Sequence, residues 1–256
     1  MKPLVFLFTK PLYTLGFFTR TLKGVGYYLF RDSVSFKILI MQILFTFVEA
    51  LGVSSLLAIG IGAAVNVIGI PFLTRLSQER LIYTLLITII TRELGPLLVA
   101  FIIIARSATA IATEIAGMVI SHEVEAYISV GVDPIEYLAV PRFLGVTISL
   151  FLLNIYFSIF GLAGSFLVAQ FFNPMPASVY FDNLLQILSL HDILISIIKS
   201  LGFGMIISIV AICRGFEVER ASTEIPVAGL KAVVAAFAWC IILDIVLTAL
   251  YYMALI

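Results

Sequence analysis

The chain has 256 residues, 62% of them hydrophobic and 12% charged, with 15 basic and 15 acidic side chains and no net charge. Soluble domains are roughly 45–50% apolar and about 25% charged, so a water-soluble globule is excluded, and the lack of any basic block excludes a nucleic-acid-binding tail protein. Cys213 and Cys240 stand far apart in apolar stretches and offer neither a disulfide framework nor a metal-ligand spacing. With a mean hydropathy of +1.19, the composition is that of an integral membrane protein.

In chain order, the first element is a basic segment. Lys10, Arg20 and Lys23 alternate with Phe8, Leu12, Leu15, Phe18 and Leu22, so residues 3–30 are expected to form an amphipathic helix at the membrane interface, cations toward headgroups and apolar residues in lipid. Lys10 interrupts the early apolar run and no small-residue cleavage site follows, which argues against an export signal. A bilayer core about 30 Å thick needs roughly 20 apolar residues per helix at about 1.5 Å rise. Five stretches qualify: Ile38 to Ile70, Leu81 to Ala105, Phe143 to Phe172, Ile193 to Cys213 and Val233 to Ile256. Their long unbroken apolar runs fit helices rather than a barrel. The expected fold class is therefore an all-α integral membrane protein, one membrane domain over 1–256, with 1–37 interfacial and 38–256 a five-helix bundle.

Cations orient it. Lys2, Lys10, Arg20, Lys23, Arg31 and Lys37 precede the first span, Arg106 and Arg142 flank the second loop, and Arg214, Arg220 and Lys231 lie in the fourth; the opposite side has only Arg75 and Arg80. By the positive-inside rule the N-terminus is expected in the cytoplasm and, with an odd number of spans, the C-terminus outside.

Five charges fall inside the expected spans: Glu49, Arg92, Glu93, Lys199 and Asp244. Each costs at least about 2.5–3.5 kcal/mol on insertion scales. Two accounts are open and compatible: the five pair to hold the bundle together, or they line a polar cavity that receives a substrate headgroup. Arg92 and Glu93 are adjacent, hence about 100° apart on a helix, so at least two other helices must approach them. Arg92 is expected to meet an acid of the first or fifth span, and Glu93 to meet Lys199. Pro96 lacks the donor that would reach the Arg92 carbonyl, so a bend is expected there. Ala105 to Gly117, rich in Ala, Ser and Thr, reads as a tightly packed helical extension.

Between the second and third spans, Ser121 is expected to cap a short helix carrying Glu123 and Glu125 near its positive end, with Val124, Tyr127 and Ile128 on one face and Gly131 closing it. Asp133 followed by Pro134 reads as the start of a second short helix, ended by Pro141. Anionic lipid attracts basic segments, so an acidic amphipathic helix fits a protein groove better than the membrane surface.

On these residues the chain resembles the MlaE/YrbE family, permease subunits of ABC transporters that work with MCE-domain lipid-binding proteins. The resemblance is carried by RELGP at Arg92 to Pro96, Arg106 with Glu114, EAYISVGVDPIEYLAVPR at Glu125 to Arg142, Lys199-Ser200 and LDIVLTAL at Leu243 to Leu250. Ala105, Ala108 and Ala116 stand where the family favours other small residues, often glycine, and Tyr127 where a smaller or aliphatic residue is common. The resemblance implies a homodimer in the inner membrane of a double-membraned bacterium. Two cytoplasmic ATPase subunits would carry ATP and Mg and dock on the loop at Glu123, Glu125, Tyr127, Ile128, Gly131, Asp133 and Pro134. A periplasmic MCE-domain assembly would complete the system, with phospholipid as the substrate. Arg92, Glu93, Lys199 and Asp244 match polar residues of the family's lipid cavity.

The chain contains no GxxxxGK[ST] loop, so ATP hydrolysis is expected on another subunit and no cofactor on this one. His122 and His191 lack Cys or acidic neighbours at ligand spacing, and no GxSxG elbow is present, so neither a metal site nor a serine-nucleophile enzyme is expected. The rival function is an ion-coupled carrier of lipid or another amphiphile that relays protons through Glu49, Glu93 and Asp244.

Overall fold

The structure is a computed structural model describing residues 11–28, 33–78, 80–172, 174–218 and 221–255. Its described residues form helices: α1 (Pro11–Tyr28), α2 (Ser33–Arg75), α3 (Leu81–Leu86), α4 (Leu94–Ile103), α5 (Thr109–Ile120), α6 (Glu123–Ser129), α7 (Val140–Phe172), α8 (Ala177–Ile187), α9 (Leu190–Phe216) and α10 (Glu224–Leu255). Wide π-type turns at Ile87–Glu93 and Ile104–Ala108 join α3, α4 and α5 into one continuous rod, and a third at Ile135–Ala139 runs into α7.

Five helices are long and apolar enough to cross a membrane: Phe36–Arg75, Leu81–Ile120, Ile135–Phe171, Leu190–Phe216 and Glu224–Met253. The number agrees with the sequence, but all five helices are longer than the expected stretches. The second span, expected to stop at Ala105, runs 40 residues to Ile120, about 60 Å at 1.5 Å per residue, twice the bilayer core. Small residues explain the extension. Ala108, Ala112 and Ala116 are fully buried, so α5 comes close to α9 and α10 and hydrophobic packing continues past the apolar stretch. Arg106, expected at a loop edge, therefore lies inside this rod.

Helix α7 is the spine, packed along α2 on one side and α9 on another, with α10 beyond α9. Glycines bring α2 and α7 together: a Cβ on Gly62 would overlap the Gly161 carbonyl oxygen, so nothing larger fits between those backbones. At one end of this pair Asn66 donates to the Ser165 carbonyl, and the Ser165 and Tyr180 hydroxyls share a 2.9 Å hydrogen bond. This ties α8 to both spans, and burial raises the Tyr180 pKa, keeping its hydroxyl protonated.

Helix α1 forms within the segment expected to be an interfacial helix, and part of its surface is turned to protein. Phe17, Thr21 and Gly24 form its buried stripe, the Phe17 and Phe216 rings lie 6.1 Å apart, and Leu22 remains about half exposed. One face therefore packs on protein. Lys2, Phe8, Lys10, Arg31 and Arg220 lie outside the described residues, and of Leu12 and Leu15 only the backbone is described.

Candidate functional site: an intramembrane ion network

The second span supplies the centre of the site. The Leu94 N–H bonds to the Ile89 carbonyl, five residues back, in place of the usual four. This wide turn accommodates Pro96. A helix shifted by one residue places the missing donor beside a carbonyl it no longer needs to satisfy, so the rod carries a π turn at the position where a bend was expected. Gly95 is required by the same geometry, since a Cβ there would overlap the Ile90 carbonyl oxygen. Arg92 and Glu93 are the last residues of the turn and project toward α9 and α10.

Lys199, fully buried on α9, holds two acids. Its Nζ donates to Glu93 Oε2 at 2.6 Å and to Thr248 Oγ1 at 2.8 Å, and stands 2.9 Å from Asp244 Oδ1 without hydrogen-bond alignment. Thr248 in turn donates to Glu93 Oε2 at 3.0 Å. Asp244 and Thr248 are one turn apart on α10, so one face of that helix supplies both. Glu93 and Lys199 pair as the sequence suggested.

Arg92 does not meet an acid of the first or fifth span. Its Nε donates to Glu93 Oε1 at 3.1 Å and its Nη1 to Asp192 Oδ1 at 3.4 Å, in the first turn of α9. Its Nη2 donates to the Tyr252 hydroxyl at 2.7 Å in the last turn of α10. The guanidinium also sits 5.0 Å from the Tyr251 ring centroid and 5.3 Å from that of Tyr252, within cation–π range. The expectation failed because the fourth span begins at Leu190 and not at Ile193, which brings Asp192 into the bundle. A signal existed: Ser189 and Asp192 form a capping box, with the Asp192 N–H donating to Ser189 Oγ and the Ser189 N–H to Asp192 Oδ2.

The network forms a ladder. It starts with Asp192, Tyr251, Tyr252 and Arg92 at the end of the bundle where α9 begins and α10 finishes, and descends through Glu93 to Lys199, Thr248 and Asp244. Asp192 and Lys199 are separated by about 10 Å along α9. Glu93 keeps a quarter of its side chain exposed and Asp244 about a fifth, while Lys199 between them is sealed.

Glu49 is not part of it. It pairs with Arg106 at 2.5 Å, with both side chains more than a third exposed, and Arg106 also donates to the Glu49 carbonyl. The residues lie on α2 and on the π turn at Ile104–Ala108, so this is a separate tie between the first and second spans. The remaining arginine of the second loop, Arg142, is buried in the first turn of α7, 2.9 Å from Glu114 and donating to the Leu138 carbonyl at 2.9 Å.

In the second loop, α6 ends as expected. Gly131 has φ +80°, its N–H donates to the Ile128 carbonyl at 3.0 Å, and the Val132 N–H donates to the Tyr127 carbonyl at 2.9 Å, a Schellman closure. The start differs. His122, at φ +61°, occupies the cap position, and Ser121 Oγ turns to Glu123 Oε1 at 3.0 Å instead of to the helix backbone. His122 Nδ1 lies 3.0 Å from Glu125 Oε2. Asp133 accepts from the Ile135 N–H at 2.9 Å, with Pro134 at the entry to the turn, as read from the sequence. Pro141 does not end that helix. The Val140 N–H reaches the Ile135 carbonyl, five back, and this wide turn carries the chain through Pro141 into α7. Ile128 is 61% exposed, and the Tyr127 and Tyr137 rings meet at a tilt with centroids 5.2 Å apart.

Five long apolar helices, three of which share a buried ion network, fit a polytopic membrane protein. The profile of the Permease MlaE family matches residues 39–250, and the chain belongs to that family. It is 29% identical, over 87% of this chain and 86% of the relative, to a probable ABC transporter permease protein of Rickettsia prowazekii. The intermembrane phospholipid transport system permease protein MlaE of Haemophilus influenzae is 27% identical over 92% of this chain and 93% of that protein. The chloroplastic protein TRIGALACTOSYLDIACYLGLYCEROL 1 of Arabidopsis thaliana is 26% identical over 87% of this chain and 63% of that protein.

Proposed function

We propose that the chain is the membrane permease of an ABC transporter that moves phospholipids between the inner and outer membranes of a double-membraned bacterium. In this reading it works as a homodimer with its N-terminus cytoplasmic and its C-terminus periplasmic. ATP and Mg are handled by separate ATPase subunits, and a periplasmic MCE-domain protein receives or delivers the lipid. The name of the Haemophilus influenzae relative supports phospholipid as the cargo. The observation that carries the reading is the ladder itself. Arg92, Glu93, Lys199 and Asp244 come from three spans to one buried network, and charges at membrane depth are kept where a polar headgroup or ion must pass.

Glu123, Glu125, Tyr127, Ile128, Gly131, Asp133 and Pro134 form the proposed ATPase docking element. The exposed Ile128 and the Tyr127–Tyr137 pair supply an apolar centre and the two glutamates a charged rim. The proton-relay alternative has less support. Glu49 is engaged with Arg106 on α2, away from Glu93 and Asp244, which share Lys199.

Purification from native membranes followed by reconstitution tests the proposal. The permease should bring down an ATPase, and lipid transfer between vesicles should require ATP and stop when that subunit is removed. Transfer driven by an ion gradient without the ATPase would overturn it.

A further inference from the structure

Two cations and three carboxylates make up the ladder. Lys199 is shared by Glu93 and Asp244, and Arg92 by Glu93 and Asp192, so with all groups ionised one negative charge is in surplus. At the outer rung that surplus meets a fixed carboxylate. Asp192 is the acid farthest from Lys199, and its Oδ1 takes only the 3.4 Å contact from Arg92 and a 3.2 Å bond from the Tyr251 hydroxyl. Its carboxylate cannot turn away, because Oδ2 is held by the Ser189 hydroxyl at 2.7 Å and the Ser189 N–H at 3.2 Å. Arg92, by contrast, has donors to spare. Among the described residues Glu93, Asp192 and Tyr252 take one N–H each and Tyr251 also engages the guanidinium, and guanidinium has five.

We propose that Asp192 is a headgroup-selecting residue that makes the entrance of the ladder favour zwitterionic phospholipids over net-anionic ones. The inference rests on the reading of the ladder as the lipid path. A phosphate accepts from a remaining N–H of Arg92, while an ammonium carried on the same headgroup lies against Asp192 and offsets the surplus charge of the ladder. A headgroup that brings phosphate without ammonium adds a second negative charge beside a fixed carboxylate in a poorly solvated site, where like charges repel strongly. The capping box matters because it fixes where the carboxylate stands, and a selecting charge must not swing aside when an anion arrives.

The test uses the full chain in nanodiscs of neutral lipid doped with photoactivatable phosphatidylethanolamine or phosphatidylglycerol of identical acyl chains, with labelling mapped to the start of α9 and the end of α10. Wild-type protein should label more with the ethanolamine lipid. Asp192→Asn, which keeps the shape and the hydrogen bonds of the cap, should raise the glycerol-to-ethanolamine labelling ratio on the order of fivefold. Ser189→Ala removes the cap hydroxyl but keeps the charge, and should leave the ratio near that of wild type. An unchanged ratio in Asp192→Asn, with Arg92→Gln lowering labelling by both lipids, overturns the selection and leaves the lipid path standing. An equal shift in Ser189→Ala also overturns it, because the effect would then belong to the cap. Labelling of Arg92→Gln at wild-type level with both lipids overturns the lipid-path reading and the selection with it.

Discussion

At the scale of single residues, Lys199 decides most. Its ammonium is sealed from solvent and serves both Glu93 and Asp244, so removing it strands two carboxylates at membrane depth. Breaking a buried pair by deleting one partner costs about 3–5 kcal/mol. Lys199→Met should lower the thermal unfolding temperature in detergent far more than the same change at Lys231, which lies on the exposed side of α10. Combining Glu93→Gln with Lys199→Met should cost less than the two single changes summed, because the first removes one of the charges that the second strands; a strictly additive double variant would show that the pair is not the stabilising unit. Glu93 and Lys199 could be matched from the sequence because each is a charge with no other tolerable place in an apolar helix. Asp192 escapes such matching because it stands at the edge of its span, where a cap with Ser189 is enough to account for an acid.

At the scale of elements, irregular turns do the positioning. All three π segments put i to i−5 bonds at places where the chain carries an awkward residue: Pro96 just after the first, Arg106 within the second, Pro141 just after the third. Pro96, read as a bend, and Pro141, read as a stop, thus each follow a register shift inside a continuous helix, because in a membrane a broken helix leaves backbone groups without partners whereas a wide turn does not. The loop between spans is held by local chemistry in addition. Asp133 accepts from the Ile135 N–H and, through Oδ2, pairs with Arg20 of α1 at 2.8 Å. The cap is worth about 1 kcal/mol, and the pair less, since Arg20 is mostly exposed. Asp133→Ala should therefore speed limited proteolysis between Ser129 and Ile135 several-fold, and Arg20→Ala only slightly. Equal acceleration by the two variants would mean that α1, rather than the cap, holds the loop.

For the whole molecule, the proposed docking role predicts separable effects. Glu125→Arg or Tyr127→Glu should abolish co-purification of the ATPase while membrane insertion and the unfolding temperature stay near wild type, since no residue of α6 is buried in the bundle. ATPase retained at wild-type levels in both variants would remove the loop from the interface. Much of the architecture follows from one-dimensional information. Five spans, the short helix closed by Gly131, the cap at Asp133 and the pairing of Glu93 with Lys199 are all legible, because hydropathy, turn chemistry and the cost of a charge in lipid act locally. Four other features arise only when helices meet. Helix α1 lays Phe17 and Thr21 on protein, and α5 extends beyond the apolar core. Glu49 goes to Arg106, and Asp192 with the Tyr251–Tyr252 pair encloses Arg92. The reason is geometric: a sequence states what each helix must bury, but which partner stands opposite depends on helix ends, on one-residue shifts at π turns and on glycine contacts between backbones, and these are settled by packing.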